Sequence, residues 1–231
     1  MSKMLFFVEM AERSSSDPQE RAAMIRHRIL SIRYQKQFLE SGELYYAFRT
    51  EEGSSAILMY EVDTLERLDW IIKRDPQFSY TNTTVTPVIS SRALVVEAED
   101  FIGESILTKE EIDDLDAPKK PIRDDAIYWL AYKVVRPYSP LLPIEDQRDI
   151  DRRTILAQKG HFENLEFADH NPVGRPIGIL IAEGEFENVK SHVESCEVFP
   201  DTSVQYTKLK SLTSAEILAN DELEKMKRPR I

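Results

Sequence analysis

The spacing of apolar positions in the first ninety residues alternates between strand-like and helix-like. Residues 5–10 form a short apolar run interrupted only by Glu9, which is typical of a buried strand. Apolar side chains then recur every three or four residues from Glu20 to Leu39, and Gly42 ends this helix. The predicted elements of this half are a strand at 5–10, a helix at 20–39, strands at 44–50 and 55–62, a helix from Asp63 and a strand within 76–88.

The second helix of this half has a recognisable start. Asp63 and Glu66 resemble a capping box, in which two side chains three residues apart satisfy free backbone N–H groups. The spacing of Leu65, Leu68 and Ile72 predicts that all three side chains point inward.

The second half repeats the same order of elements, β-α-β-β-α-β. Two pairs of landmarks support the alignment of the halves: Gly42 corresponds to Gly160, and Phe78 corresponds to Phe199. Sequence identity between the halves is low, so the repeat rests on element order and apolar positions. The predicted elements are strands at 127–135, 162–168, 176–183 and 203–209, and helices at 145–158 and 185–194.

Each half is therefore predicted to be a ferredoxin-like unit, an antiparallel four-stranded sheet with two helices on one face. The other face of such a sheet is left bare, and a unit of about ninety residues is only marginally stable in that state. We expect an α+β fold in which the two sheets pack on each other as an intramolecular pseudo-dimeric barrel. The predicted segments are repeats at 1–92 and 124–212, an acidic linker at 93–123, and a C-terminal helix with a basic tail at 213–231.

Composition narrows the classes of function. The 231 residues include 41 acidic and 30 basic side chains and carry a net charge of −11, which disfavours nucleic acid as a partner. Cys196 is the single cysteine, so a disulfide framework is excluded and a reducing cytoplasm is expected. The apolar run at 4–8 is too short for a signal peptide or a membrane span. We expect a cytoplasmic protein that binds a small molecule and does not bind membranes. Formation of a homo-oligomer is possible.

Two segments of the first half resemble muconolactone delta-isomerase. They are the opening strand Met4-Leu-Phe-Phe-Val-Glu-Met10 and the stretch Asp75-Pro-Gln-Phe-Ser-Tyr80 before the last strand. The resemblance covers about residues 4–90 and implies a ferredoxin-like subunit that pairs through its sheet and moves a proton on an unsaturated lactone without metal or cofactor. The family typically has His and Lys where this chain has Phe7 and Glu9, so its catalytic residues do not transfer directly.

Glu9 is the leading candidate for a catalytic base. If its neighbours Phe6, Val8 and Met10 face the helices, strand alternation turns Glu9 toward the other face of the sheet. The repeat places Lys133 at the equivalent position of the second half, where it would line the same enclosed cavity. The alternative is a structural ion pair between these two side chains.

Further candidates are one histidine, one arginine and several aromatic residues. His27 lies on a partly apolar helix stripe, and histidine is the residue type most often used as a general acid or base. Arg49 ends a strand where the second half has Phe167, which favours a single anion-binding site. The expected substrate-binding side chains are Phe7, Tyr45, Tyr60, Tyr80, Trp129, Tyr132 and Lys133. The histidines lack metal-ligand spacing and no glycine-rich phosphate loop is present, so no metal or organic cofactor is expected.

Three functions stay open at the level of sequence. The leading hypothesis is a cofactor-independent isomerase or lyase acting on a small lactone or enol of aromatic catabolism, with Glu9 or His27 as base and Arg49 or Lys133 holding the anion. A second hypothesis is a cofactor-free oxygenase or cyclase that binds a polycyclic substrate against its aromatic residues. The third is a binding or assembly protein without catalytic activity.

Overall fold

A computed structural model describes residues 4–90, 108–110, 122–134, 166–169, 177–194 and 204–227. The chain divides into two compact units. One unit joins Met1–Pro87 to Leu209–Ile231, and the other comprises Val88–Lys208. The N-terminal unit is therefore discontinuous in sequence.

The elements follow the predicted order closely. In the first half they are β1 (Met4–Glu12), α1 (Pro18–Ser41), β2 (Leu44–Thr50), β3 (Ser55–Val62), α2 (Leu65–Arg74), a 3-10 turn (Phe78–Tyr80) and β4 (Thr81–Ser90). In the second half they are β5 (Tyr128–Val134), β6 (Glu166–Asp169), β7 (Ile177–Glu183), α3 (Phe186–Glu194), β8 (Val204–Ser211) and α4 (Leu212–Lys227). The helix predicted at 145–158, Gly160, Phe199 and most of the acidic linker lie outside the described residues.

The sheet of the N-terminal unit is antiparallel, with β3 between β1 and β2. Phe7 lies opposite Met59 on one side of β3, and Ala47 lies opposite Leu58 on the other. The end of β8 extends this sheet by pairing with β2 over residues 209–211. The prediction of an α+β fold with antiparallel sheet is confirmed.

The second unit also contains an antiparallel sheet, in which β7 lies between β5 and β6. The last two residues of β4 pair with β6. Its described core is formed by Ala131 and Ala182 on the strands and by Val189 and Val193 on α3. The packing of the two predicted sheets on each other stays a prediction.

The core of the N-terminal unit lies between its sheet and its helices. Phe6, Val8 and Met10 on β1 are buried in one cluster with Ile32 of α1 and Ile71 of α2. This confirms that the even-numbered side chains of β1 face the helices. The opposite face is apolar as well, because Phe7 and Met59 are also buried.

The start of α2 differs from the prediction. Thr64 is the N-cap, and its side chain accepts a hydrogen bond of 3.1 Å from the backbone N–H of Arg67. The capping box of Asp63 and Glu66 is therefore wrong by one residue. The inward orientation of Leu65 is wrong as well, since this side chain is 57% exposed while Leu68, Ile71 and Ile72 are buried. A cap at position 64 makes Leu65 the first helical residue, on the solvent side.

The C-terminal helix α4 packs against α1. Leu223 and Met226 contact a small apolar cluster formed by Ile25, Ile29 and Ala219. Among the described residues, no helix is long and apolar enough to cross a membrane.

Candidate functional site

Arg49 is the centre of a buried polar network in the N-terminal unit. Its side chain is fully buried between β2 and α1. The guanidinium donates from Nη2 to Ser31 Oγ at 3.0 Å and to Gln35 Oε1 at 3.3 Å, and from Nη1 to Gln77 Oε1 at 2.7 Å. Its Nε is buried and has no hydrogen-bond partner within the described parts of the chain. Among the described residues, no carboxylate lies within ion-pair distance of Arg49, so neutral oxygens hold this cation.

Asp75 supplies a negative charge to the same network. This residue ends α2, and its carboxylate accepts hydrogen bonds of 2.9 Å from Ser31 Oγ and from Gln35 Nε2. A third hydrogen bond of 2.8 Å comes from the backbone N–H of Gln77. Ser31 and Gln35 therefore bridge the charges of Arg49 and Asp75, and they fix the turn after α2 to α1.

A series of hydrogen bonds between polar and charged side chains continues from Arg49 to the surface. Gln77 Nε2 donates to Glu12 at 2.5 Å, and Glu12 accepts two hydrogen bonds of 2.6 Å from Arg28. Arg28 also donates from Nη1 to Glu222 of α4 at 3.1 Å. Burial lowers the pKa of Arg28, but the hydrogen bonds and charges of Glu12 and Glu222 outweigh that effect and raise it.

The turn between β2 and β3 passes close to this series of hydrogen bonds. Gly53 has φ of +75°, and a Cβ atom placed there would lie 3.2 Å from Nη1 of Arg28. The left-handed backbone therefore favours glycine at this position, and any side chain there would also have to displace the Arg28 guanidinium slightly.

Burial dominates the electrostatics of the network. It lowers the pKa of Arg49 to about 10, although the charges of Asp75 and Glu12 act in the opposite direction. Arg49 therefore stays charged at neutral pH. Burial also raises the pKa of Tyr60 well above its usual value, with Asp75 contributing in the same direction, so Tyr60 is a neutral phenol.

The structure does not bring the three predicted catalytic residues into one cavity. Glu9 is exposed, and it alternates along β1 with the helix-facing Val8 and Met10. Arg49 points to the helix side, where it contacts α1. Glu9 and Arg49 thus lie on opposite faces of the sheet, and the expectation of a shared pocket for them is not met. Their roles in catalysis stay predictions.

His27 lies on α1, next to Tyr80. Its ring packs against Tyr80, with 4.7 Å between the ring centroids. Its Nδ1 is buried, and none of the residues that the structure describes forms a hydrogen bond with it. Tyr80 ends the 3-10 turn that follows Asp75 and Gln77. His27 therefore supports the turn that holds the network.

The remaining predicted binding residues serve mainly in packing. Phe7 is buried on the sheet face away from the helices, and Tyr60 is buried in the main core. Tyr45 is partly buried, and burial together with the charge of Glu61 raises its pKa to about 12. Trp129 packs on Phe186 with 4.6 Å between the ring centroids. The side chains of Tyr132, Lys133 and Phe167 lie outside the described residues.

Sequence reasoning did not identify most of the buried network. The missed residues are Glu12, Arg28, Ser31, Gln35, Asp75 and Gln77. A signal was present, because Arg28, Ser31 and Gln35 are spaced at i, i+3 and i+7 and therefore form a polar stripe on α1. That stripe is buried, so the inner face of α1 is only partly apolar.

The part of the chain that the structure describes contains no group of three or more His, Cys, Asp or Glu residues able to hold a metal ion. His27 is poorly placed to bind a metal ion, because its ring is packed against Tyr80 and its Nδ1 is buried. No other histidine side chain is described.

Comparison with known proteins indicates a fold. Neither a protein-family model nor a curated protein matches this chain. A mutant chlorite dismutase from Candidatus Nitrospira defluvii matches with a TM-score of 0.59 and 10% identity, over 99% of this chain and 97% of that chain. The same enzyme in complex with imidazole matches with a TM-score of 0.58 and 10% identity, over 97% and 95%.

A heme-binding protein from Thermus thermophilus is similar to the same extent. Its TM-score is 0.59 at 10% identity, and the match covers 94% of this chain and 96% of that chain. At this identity the likeness is one of fold. The chain has a chlorite dismutase-like fold, with a duplicated ferredoxin-like domain. The resemblance to muconolactone delta-isomerase is supported as far as this shared type of fold.

Proposed function

We propose that this protein binds heme, with the N-terminal unit serving as a rigid scaffold. The observation that carries the proposal is the likeness to a heme-binding protein along nearly the whole length of both chains. The buried network supports the scaffold role, since Arg49, Arg28 and Asp75 are each held by hydrogen bonds within it. The expectation of a cofactor-free protein is replaced by this proposal.

A histidine would hold the iron of such a heme, and the chain has four histidines. His27 is packed against Tyr80 and is the poorest candidate. The remaining candidates are His161, His170 and His192. An imidazole nitrogen from one of them would hold the iron, and a bound heme would supply redox and ligand-binding chemistry at that position.

A hemin titration tests the proposal. We expect the purified protein to saturate at one equivalent of hemin, with a sharpened Soret band that differs from that of free hemin. The variant His27→Phe keeps a ring against Tyr80 and should bind as the parent does. One of the variants His161→Ala, His170→Ala and His192→Ala should lose the spectrum of the bound form. The absence of a saturable band would refute the proposal, and its loss in His27→Phe alone would contradict the choice of His161, His170 or His192 as the iron ligand.

The isomerase hypothesis calls for its own test, in which Glu9 acts as the base. Removing a general base costs about 10²- to 10⁴-fold in rate, so Glu9→Gln should lose nearly all turnover of an unsaturated lactone. Glu40→Gln, an exposed carboxylate on α1, is the matched control. Equal turnover in both variants would remove Glu9 from the reaction. The oxygenase or cyclase hypothesis and the assembly hypothesis stay predictions.

A further inference from the structure

Helix α4 is attached to α1 through two carboxylates, each shared by two basic side chains. Glu216 accepts from Arg33 at 2.7 Å and from Lys36 at 2.8 Å. Glu222 accepts from Arg21 at 3.0 Å and from Arg28 at 3.1 Å. The two attachments therefore use the same number of ion pairs on the same pair of helices, with an arginine and a lysine at Glu216 and two arginines at Glu222.

The two attachments differ in what lies behind them. The partners of Glu216 end at the surface, since the side chains of Arg33 and Lys36 are 59% and 33% exposed. Arg28 is 9% exposed and also holds Glu12, which in turn accepts from Gln77. Glu222 is thus the end of a continuous series of hydrogen bonds that reaches the turn after α2.

We propose that Glu222 makes the docking of α4 a control on the rigidity of the turn at residues 75–80. When Glu222 is engaged through Nη1, Arg28 is held from both sides and presents Nε and Nη2 to Glu12. When α4 moves away, Arg28 keeps one carboxylate and gains rotational freedom, which loosens Glu12 and then Gln77. The turn that positions Asp75 against Ser31 and Gln35 becomes mobile as a result.

The proposal is specific to one end of α4. The Glu216 attachment should affect only the docking of the helix, because no hydrogen bond connects its partners to Glu12 or Gln77 among the residues that the structure describes. The Glu222 attachment should affect both the helix and the turn. Replacing either glutamate by glutamine is the same chemical change. Comparing the two variants therefore shows whether the docking of α4 also controls the turn at residues 75–80.

Hydrogen exchange of the full-length protein tests this inference, with Glu222→Gln compared with Glu216→Gln. The charge-assisted hydrogen bond from Arg28 to Glu222 is weakened in Glu222→Gln, so we expect about tenfold faster exchange or more at amides 77–80. Amides of α4 should exchange faster in both variants, which verifies that docking is weakened equally. Unchanged exchange at 77–80 in Glu222→Gln, or equal acceleration in the two variants, would overturn the inference. Glu222→Asp, which keeps the charge, should restore part of the protection.

Discussion

Arg49 shows how a single residue can be misread from sequence. An arginine at the end of a strand, with phenylalanine at the equivalent place of the repeat, indicates an anion-binding side chain. In the structure its partners are the neutral side chains of Ser31, Gln35 and Gln77. A buried cation is tolerated only when such hydrogen bonds replace its water. The sequence could not reveal this, because the partners come from elements far apart in the chain.

Replacing Arg49 alone should lower the free energy of unfolding more than replacing Arg49 and Asp75 together. In Arg49→Met the charge of Asp75 stays buried without the opposing cation, so we expect a loss of about 3 kcal/mol in the free energy of unfolding. The double variant Arg49→Met with Asp75→Asn removes both charges and should recover part of that loss. Urea unfolding measures the free energy of unfolding of the parent, the single variant and the double variant. A single variant as stable as the parent would show that the network contributes little.

At the scale of elements, the sequence predicts order and length well. Strands and helices in the described parts begin and end within a few residues of their predicted bounds, because apolar periodicity and Gly42 mark them clearly. The predicted start of α2 was wrong because two acceptors, Asp63 and Thr64, stand side by side before the helix. Periodicity alone does not distinguish two caps that differ by one residue.

The two candidate caps of α2 can be separated by alanine substitution. Thr64→Ala removes the acceptor for the backbone N–H of Arg67, and the loss of an N-cap costs about 1 kcal/mol. Asp63→Ala changes an exposed residue outside the helix and should alter stability by only a few tenths of a kcal/mol. Thermal unfolding of both variants distinguishes them. A larger loss in Asp63→Ala would contradict the observed cap.

The docking of α4 should depend on acid pH through Glu216. Hydrogen bonds from Lys36 and Arg33 lower the pKa of Glu216 below its usual 4.5, although burial opposes this. A carboxylate with a lowered pKa stabilises the fold above its unfolded-state pKa, and this contribution disappears as the pH falls through the folded-state value.

We therefore expect the difference in unfolding free energy between the parent and Glu216→Gln to shrink from pH 6 toward pH 3. Urea unfolding across this range measures the difference. A difference that stays constant with pH would show that the Glu216 ion pairs do not contribute to stability.

At the scale of the whole molecule, the predicted repeat accounts for much of the architecture. Element order predicted an α+β chain with antiparallel sheet, which the structure confirms. The sequence did not show that residues 209–227 belong with the first half. The sequence pattern shows that α4 has an apolar face. It does not specify which surface of the protein covers that face. The buried network could not be predicted for a similar reason, because strand alternation assigns a face to Glu9 and says nothing of the side chains gathered around Arg49.

Removing α4 should destabilise the N-terminal unit. Deletion of residues 212–227 uncovers Ile25 and Ile29 on α1 and takes Leu212 and Ala215 out of the main core. We expect a lower melting temperature and increased binding of a hydrophobic dye at room temperature. Deletion of residues 228–231 is the control and should change neither measurement. An unchanged melting temperature without α4 would mean that the unit is complete without it.

The discontinuous N-terminal unit has a consequence for synthesis on the ribosome. Residues 88–208 separate its two parts, a stretch of 121 residues (208 − 87). At a translation rate of about 5–20 residues per second, the nascent first part waits for roughly 6–24 seconds before α4 emerges. During that interval the apolar face of α1 around Ile25 and Ile29 is open to chaperones and to neighbouring nascent chains. Slow codons or a stalled ribosome within this stretch would therefore lengthen the period in which the protein is prone to aggregate.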